Sequence, residues 1–263
     1  MNVYIGKPIV VSDMQWPAPD GFHVPLMTEW QWLKTIMAWL GLTTWNSWRI
    51  NLHIPFAGRR DFDTAAIKNQ GSIGFYWSSS TSGSDEPYNA QLLDLDTSYA
   101  FTDTTSRRAN GFSIRCFKNS FEGPTSSWTV INGTLWSAWI FRNQTDWLIS
   151  ITSDWTTWYT IQDKNLWATT VYSDWATLSE ANCGKYYQWG NNYWFAWTWS
   201  VTTSLTKVDA STYWPWNYYS SSTFISGSVD WSSVYNDNLR WWVSQWTSTK
   251  NRELKNDYIW QHS

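Results

Sequence analysis

The residues best suited to chemistry are two cysteines, Cys116 and Cys183, and three histidines, His23, His53 and His262. None of the five is a near neighbour of another, so the short ligand spacing of a metal site is missing. The cysteines allow one disulfide, and two free buried thiols are the expected state. An enzyme needs a nucleophile, a base or a metal within reach of one another, and no motif supplies such a set. Asp94 and Asp96 in "LLDLD" alternate with Leu93 and Leu95, as on a half-buried strand, and are expected to face water together. Oxygen-rich clusters can hold calcium, but solvated acids are the expected reading. No cofactor is expected.

Charge narrows the partners. The 263 residues carry a formal net charge of −3, and the basic residues form only pairs, Arg59-Arg60 and Arg107-Arg108. A nucleic-acid or polybasic membrane partner is therefore not expected. No apolar run approaches the roughly 20 residues of a transmembrane helix, and "MNVYIGKPIVV" lacks the layout of an export signal.

The elements that must position these residues are mostly short strands. "MTEWQWLKTIMAWLGL" predicts one helix from about Thr28 to Leu40, with Thr28 as cap, Glu29 in the first turn and Trp30, Leu33, Met37 and Leu40 facing inward. After it, "GFYWSSS", "NAQLLDLD", "GFSIRCF", "SSWTVING", "LISITSD", "YTIQDKN" and "KYYQWG" read as strands between Ser, Asp, Asn and Gly turns. The fold class expected is α+β.

Four stretches, "PAPDGFHVPLMTEW" (17–30), "PFAGRR" (55–60), "NQGSIGFYWSSS" (69–80) and "RANGFSIRCFKN" (108–119), resemble in this order the C-terminal half of the Fibrobacter succinogenes major paralogous domain. That family implies a C-type-lectin-like fold, related to the formylglycine-generating type. The ending "RANGFSIRC" also resembles the variable region of proteins diversified by retroelements. "YTIQDKNLWATT" (159–170) and "CGKYYQWGNNYWF" (183–195) resemble the start of the same module, so the halves stand in reversed order. The reading adopted is a C-terminal half over 1–119, a connector over 120–150 and the N-terminal half of a second module over 151–263. The other reading is one circularly permuted module, in which Cys116 and Cys183 could come together. Family members usually carry Cys where this chain has Ala18. The resemblance makes His23 a packing or loop-bonding residue, and the paired cysteines of the formylglycine-making relatives have no counterpart. "EPYN" (86–89) faintly resembles the sugar-and-calcium motif of true C-type lectins.

The resemblance also bears on the 26 tryptophans. Trp30, Trp77, Trp189 and Trp231 stand where the family has Trp. Trp155, Trp167, Trp175, Trp194, Trp214, Trp216, Trp241 and Trp242 stand where it asks for Gly. "SDW", "WPWN" and "RWWV" read as turns if W stands for G, because Gly accepts positive φ without steric cost. The expectation is a source that decodes UGA as Gly, with these indoles exposed and several on positive-φ turns. The opposing reading is a Trp-rich glycan binder.

The function expected is non-enzymatic ligand binding, outside the cell or on its surface, as an adhesin or a retroelement-diversified receptor for a protein or glycan. The alternative is a carbohydrate-binding accessory module of a polysaccharide-degrading system. The expected binding residues are Arg59, Asp61, Phe62, Ile73, Phe75, Tyr88, Asn89, Asp94, Asp96, Tyr99 and Arg107. Polar and aromatic side chains on loops between strands make up a paratope-like composition. Asp61, Phe62, Ile73, Phe75, Tyr88, Asn89 and Tyr99 are expected to share one exposed patch.

Overall fold

The computed structural model describes residues 18–233, apart from 20, 83–85, 97, 99, 120–127, 134–137, 154, 156–157, 174–175, 192, 199 and 209–220. In chain order its elements are β1 (Phe22–His23), α1 (Met27–Trp39), α2 (Trp45–Leu52), β2 (Arg59–Arg60), β3 (Ile67–Lys68), β4 (Gly74–Thr81), β5 (Asn89–Leu95), β6 (Ala100–Arg107), β7 (Gly111–Phe112) and β8 (Phe117–Lys118). They continue with β9 (Thr129–Gly133), β10 (Trp139–Asn143), β11 (Leu148–Thr152), β12 (Trp158–Gln162), α3 (Glu180–Cys183), β13 (Tyr187–Gln188), β14 (Thr203–Ser204) and β15 (Phe224–Ile225). The class is α+β, mostly antiparallel sheet with few helices.

Helix α1 begins earlier than its Thr28 suggested. Its first turn is closed by Glu29, whose carboxylate accepts the Leu26 N–H at 2.7 Å, while Ser80 Oγ of β4 takes the Met27 N–H at 2.8 Å. Its end is set by Gly41 at φ 72°, where Gly41 N–H bonds to Ala38 O and Leu42 N–H to Met37 O. That pair of bonds needs a left-handed residue, which Gly supplies. Helix α2 was not foreseen, although Thr44 Oγ1 accepts Ser47 N–H at 3.3 Å as an ordinary cap and Trp48 and Leu52 fall one turn apart. Arg115, wholly buried, donates to the C-terminal carbonyls of α2, Leu52 O at 3.2 Å and His53 O at 2.9 Å.

The largest sheet runs β1-β8-β12-β11-β10-β9, and a second runs β4-β5-β6. One core lies between them and the helices, where Trp30, Leu33 and Met37 of α1 meet Tyr76, Leu93 and Leu95 on one side and Ile140, Ile151 and Ile161 on the other. A second core gathers Phe75, Trp77, Leu92, Phe112, Tyr187 and Trp189. "GFSIRCF" is buried from end to end, as a central segment should be, but it forms two short strands rather than one.

The described residues of 1–119 and of 151–263 share these sheets and cores. Tyr187 of β13 pairs with Phe112 of β7, Ile161 of β12 pairs with Phe117 of β8, and Arg115 Nε donates to Asn165 Oδ1 at 3.0 Å. Residues 120–150, read as a connector, contain β9, β10 and the start of β11, with β10 and β11 paired antiparallel from Asn143 opposite Leu148 to Trp139 opposite Thr152. Cys116 and Cys183 are both buried and free, in separate core clusters.

The tryptophans divide sharply. Trp30, Trp77, Trp189 and Trp231 are at most 1% exposed, whereas Trp155, Trp167 and Trp194 are 54%, 55% and 39% exposed. Trp155 and Trp167 hold φ of 63° and 64°, and Trp147, not among the suspected positions, holds 55°. Trp175, Trp214, Trp216, Trp241 and Trp242 lie outside the described residues.

Candidate ligand-binding surface

The candidate site is built on the second sheet. Register places Phe75 of β4 opposite Asp94 of β5, and Asp94 opposite Phe101 of β6, so the three side chains share a face. Glycine bridges bring β2 alongside, with Gly58 pairing parallel to Gly74, and the Arg59 guanidinium lies 5.4 Å from the centre of the Phe75 ring. Asp61, two residues on, is held by Lys68 Nζ at 3.1 Å, Thr64 Oγ1 at 3.1 Å and Arg59 Nη2 at 3.6 Å.

Two carboxyls in this small area are pushed in opposite directions. Burial works to raise Asp61, but the bonds from Lys68 and Thr64 outweigh it and hold the carboxyl below its usual range. Asp94 is pushed up to about 6, first by burial and then by the charge of Asp96, with Arg59 opposing. Three polar atoms here are buried without a hydrogen-bond partner: Asp94 Oδ1, Arg59 Nε and Thr104 Oγ1. Most buried polar groups in folded proteins are paired, so an acceptor and a donor left without a hydrogen bond beside aromatic rings single this area out.

Among the described residues, the seven expected to share one exposed patch fall at two ends of the sheet. Arg59, Asp61, Phe75, Asp94 and Asp96 gather at the Asp94 end of β5, with half-buried Ile73 packing against the Phe75 core. Phe62, Tyr88, Asn89 and Arg107 gather at the other end, where Asn89 pairs with Arg107 and the Arg107 guanidinium lies 4.3 Å from the Phe62 ring centre. Asn89 and Asp94 stand an odd number of positions apart on one strand and so face opposite sides of the sheet. Two residues expected at the surface are buried instead. Asp61, 3% exposed, anchors the turn before β3, and Phe75, 7% exposed, stacks on Phe112 at 5.0 Å. Asp96 and Asp94 are half-buried rather than solvated. Tyr99 lies outside the described residues.

Sequence reasoning missed Lys68, Phe101 and Thr104. Phe101, 38% exposed, is a large apolar side chain on an open strand, and the alternation of "AFTDTTSR" was its available signal.

Other polar groupings are structural in character. Buried His23 lies between Asn119 Oδ1 at 2.7 Å and Glu29 Oε1 at 2.8 Å, tying β1 to the helix cap and to the end of β8. His53 Nδ1 stands 2.9 Å from Asp163, which Arg142 Nε approaches at 3.1 Å on its other oxygen. Burial pushes the Cys183 thiol up to about 12 and the Cys116 thiol higher still, the opposite of an activated nucleophile. Among the described residues, no three His, Cys, Asp or Glu side chains are grouped to hold a metal, and no helix is long and apolar enough to cross a membrane.

No protein family, curated protein or solved structure matches this chain.

Proposed function

We propose that this chain is a non-enzymatic ligand-binding module of C-type-lectin-like type, acting outside the cell or at its surface as an adhesin or receptor for a protein or glycan. The observation that carries this reading is the unmatched pair of Arg59 Nε and Asp94 Oδ1 beside Phe75 and Phe101. The pair sits on a strand scaffold in the stretch bracketed by "PFAGRR" and "RANGFSIRC", where the resemblance to diversified receptors puts their variable surface. Screening the chain against a glycan array and a displayed peptide library tests it. Arg59→Ala and Asp94→Asn should each abolish the captured signal while the chain stays folded, as read by circular dichroism. Binding that survives both substitutions, or no ligand from either screen, would overturn the site.

The module is read as a single circularly permuted one, since strands from both parts of the chain pair with each other. The suspected tryptophans are read as glycine positions. Exposure and positive φ at Trp155 and Trp167 support this, and Trp147 joins them on the same ground. Codons settle it: TGG at these positions in the source gene would leave a natively Trp-rich protein.

A further inference from the structure

Two Asn-Gly pairs occur in the chain, Asn110-Gly111 and Asn132-Gly133, and the fold holds them very differently. In such a pair the glycine nitrogen can attack the asparagine side-chain carbonyl carbon, because glycine has no Cβ to keep the two apart. The reaction needs a main chain free to turn and an amide free to meet it.

Asn110-Gly111 offers neither. Asn110 is 3% exposed, its Oδ1 accepts the Phe62 N–H at 2.9 Å, and its Nδ2 donates to Ser106 Oγ at 3.0 Å. Gly111 lies on β7 between two strands, paired with Gln188 of β13 and with Arg60 of β2. A Cβ on it would lie 3.0 Å from Arg60 and 3.2 Å from Phe224, so it is closely packed as well.

Asn132 is half-buried on β9, the last strand of the largest sheet, which pairs with β10 alone among the described residues. The ladder slips beside it. Asn132 stands opposite Ile140 and Val130 opposite Phe141, which leaves Ile131 unmatched. Gly133 is exposed and ends the strand, and Asn132 Nδ2 reaches Asn51 Oδ1 of α2 at a long 3.3 Å.

We propose that Asn132-Gly133 is a site of self-modification, where the chain passes through a succinimide to aspartate and isoaspartate, and that the fold protects Asn110-Gly111 from the same reaction. The Gly133 nitrogen gives its proton to solvent and bonds to Asn132 Cγ, the Cγ–Nδ2 bond breaks, and ammonia leaves. Water then opens the ring. Addition at Cγ restores the main chain as aspartate, and addition at the main-chain carbonyl carbon leaves the chain running through Cγ as isoaspartate. Aspartate sets an oxygen against Asn51 Oδ1, whose amide is fixed by donating to Ser47 O at 2.8 Å, so the tie from β9 to α2 is lost.

Incubating the full chain in mildly alkaline buffer made with heavy-oxygen water, followed by peptide mapping and isoaspartyl methyltransferase labelling, tests this. In the folded chain Asn132 should convert about tenfold or more faster than Asn110, because an edge strand opens more readily than a central one. In urea the two should convert at similar rates, since each precedes glycine and neither is then held. Asn132→Gln should remove the product at this position, because glutamine would have to close a larger ring, and should leave Asn110 unchanged. Equal rates for the two pairs in the folded chain would overturn the assignment. So would an Asn132 that stays intact in the folded chain while it converts in urea, or a product that persists in the Gln variant.

Discussion

Trp77 donates its indole N–H to the backbone carbonyl of Tyr187 at 2.7 Å, across 110 positions of sequence. Trp189 returns the arrangement by donating to Ser78 O at 2.8 Å, so each part of the chain holds a tryptophan of the other. Burial of a large ring together with satisfaction of its one donor is what a native core tryptophan requires.

Trp77→Phe keeps most of the apolar volume but leaves the Tyr187 carbonyl without its buried donor. The expected cost is about 2–3 kcal/mol from the lost bond and the small cavity. Urea denaturation should show one cooperative transition that moves as a whole. Two separate transitions, with only one displaced, would mean that residues 1–119 and 151–263 fold independently.

The surface tryptophans should behave in the reverse sense. At Trp147 and Trp167 the positive φ costs a residue with Cβ about 1–2 kcal/mol, and each is an exposed residue that leaves roughly half its surface in solvent. Gly gives back part of that through the entropy of the unfolded chain. The double substitution Trp147→Gly/Trp167→Gly should nonetheless raise the melting temperature by a few degrees, measured by circular dichroism. A fall would show that these indoles contribute packing the backbone argument leaves out.

The sequence was most readable where local pattern and burial coincide. β4, β5, β11, β12 and α1 lie close to where alternation and helical spacing put them. Positive φ at Trp155 and Trp167 was legible because Asp and Asn shortly before them mark turn sequences in which such a φ is common. α2 was lost because its apolar positions are few and its cap, Thr44, stands among similar residues. β6 was lost because "AFTDTTSR" is strand-like on one face only. The candidate surface was partly legible: composition singled out the stretch between Arg59 and Arg107, but register alone decides that Asp94 and Asn89 face apart, and register follows from long-range pairing.

Arg115 is the fixed point of the polar interior. Wholly buried, it donates to Leu52 O, His53 O, Gln162 O and Asn165 Oδ1, and so joins α2 to β12 and the turn beyond it. Arg115→Lys keeps the charge but cannot reach four acceptors in a planar fork. Leaving buried acceptors unmet should cost about 3 kcal/mol or more, read as a fall in the urea midpoint. Arg115→Ala should prevent folding. Equal stability of the Lys variant would mean that Lys meets these carbonyls as well as the guanidinium does.

Asp94 makes a pH prediction of definite sign. Its carboxyl is pushed up to about 6 in the folded chain by burial and by Asp96, against an unfolded value near ~3.9. The folded state therefore holds this proton more tightly than the unfolded state does, and stability falls as pH rises from about 4 to about 6. Above that window the charged form is a standing penalty of about 1 kcal/mol once its partial exposure is discounted. Asp94→Asn should remove the penalty, so the variant should melt above the parent at pH 7 and together with it at pH 4. Asp61 runs the other way: its lowered carboxyl stabilises the fold above the unfolded value and loses that contribution as the solution is acidified below it. Thermal melts of parent, Asp94→Asn and Asp61→Asn across this range separate the two. If the Asp94 variant melts lower at pH 7, the carboxylate is held by Arg59 strongly enough to outweigh its burial, and the unmatched acceptor proposed for ligand binding is not free.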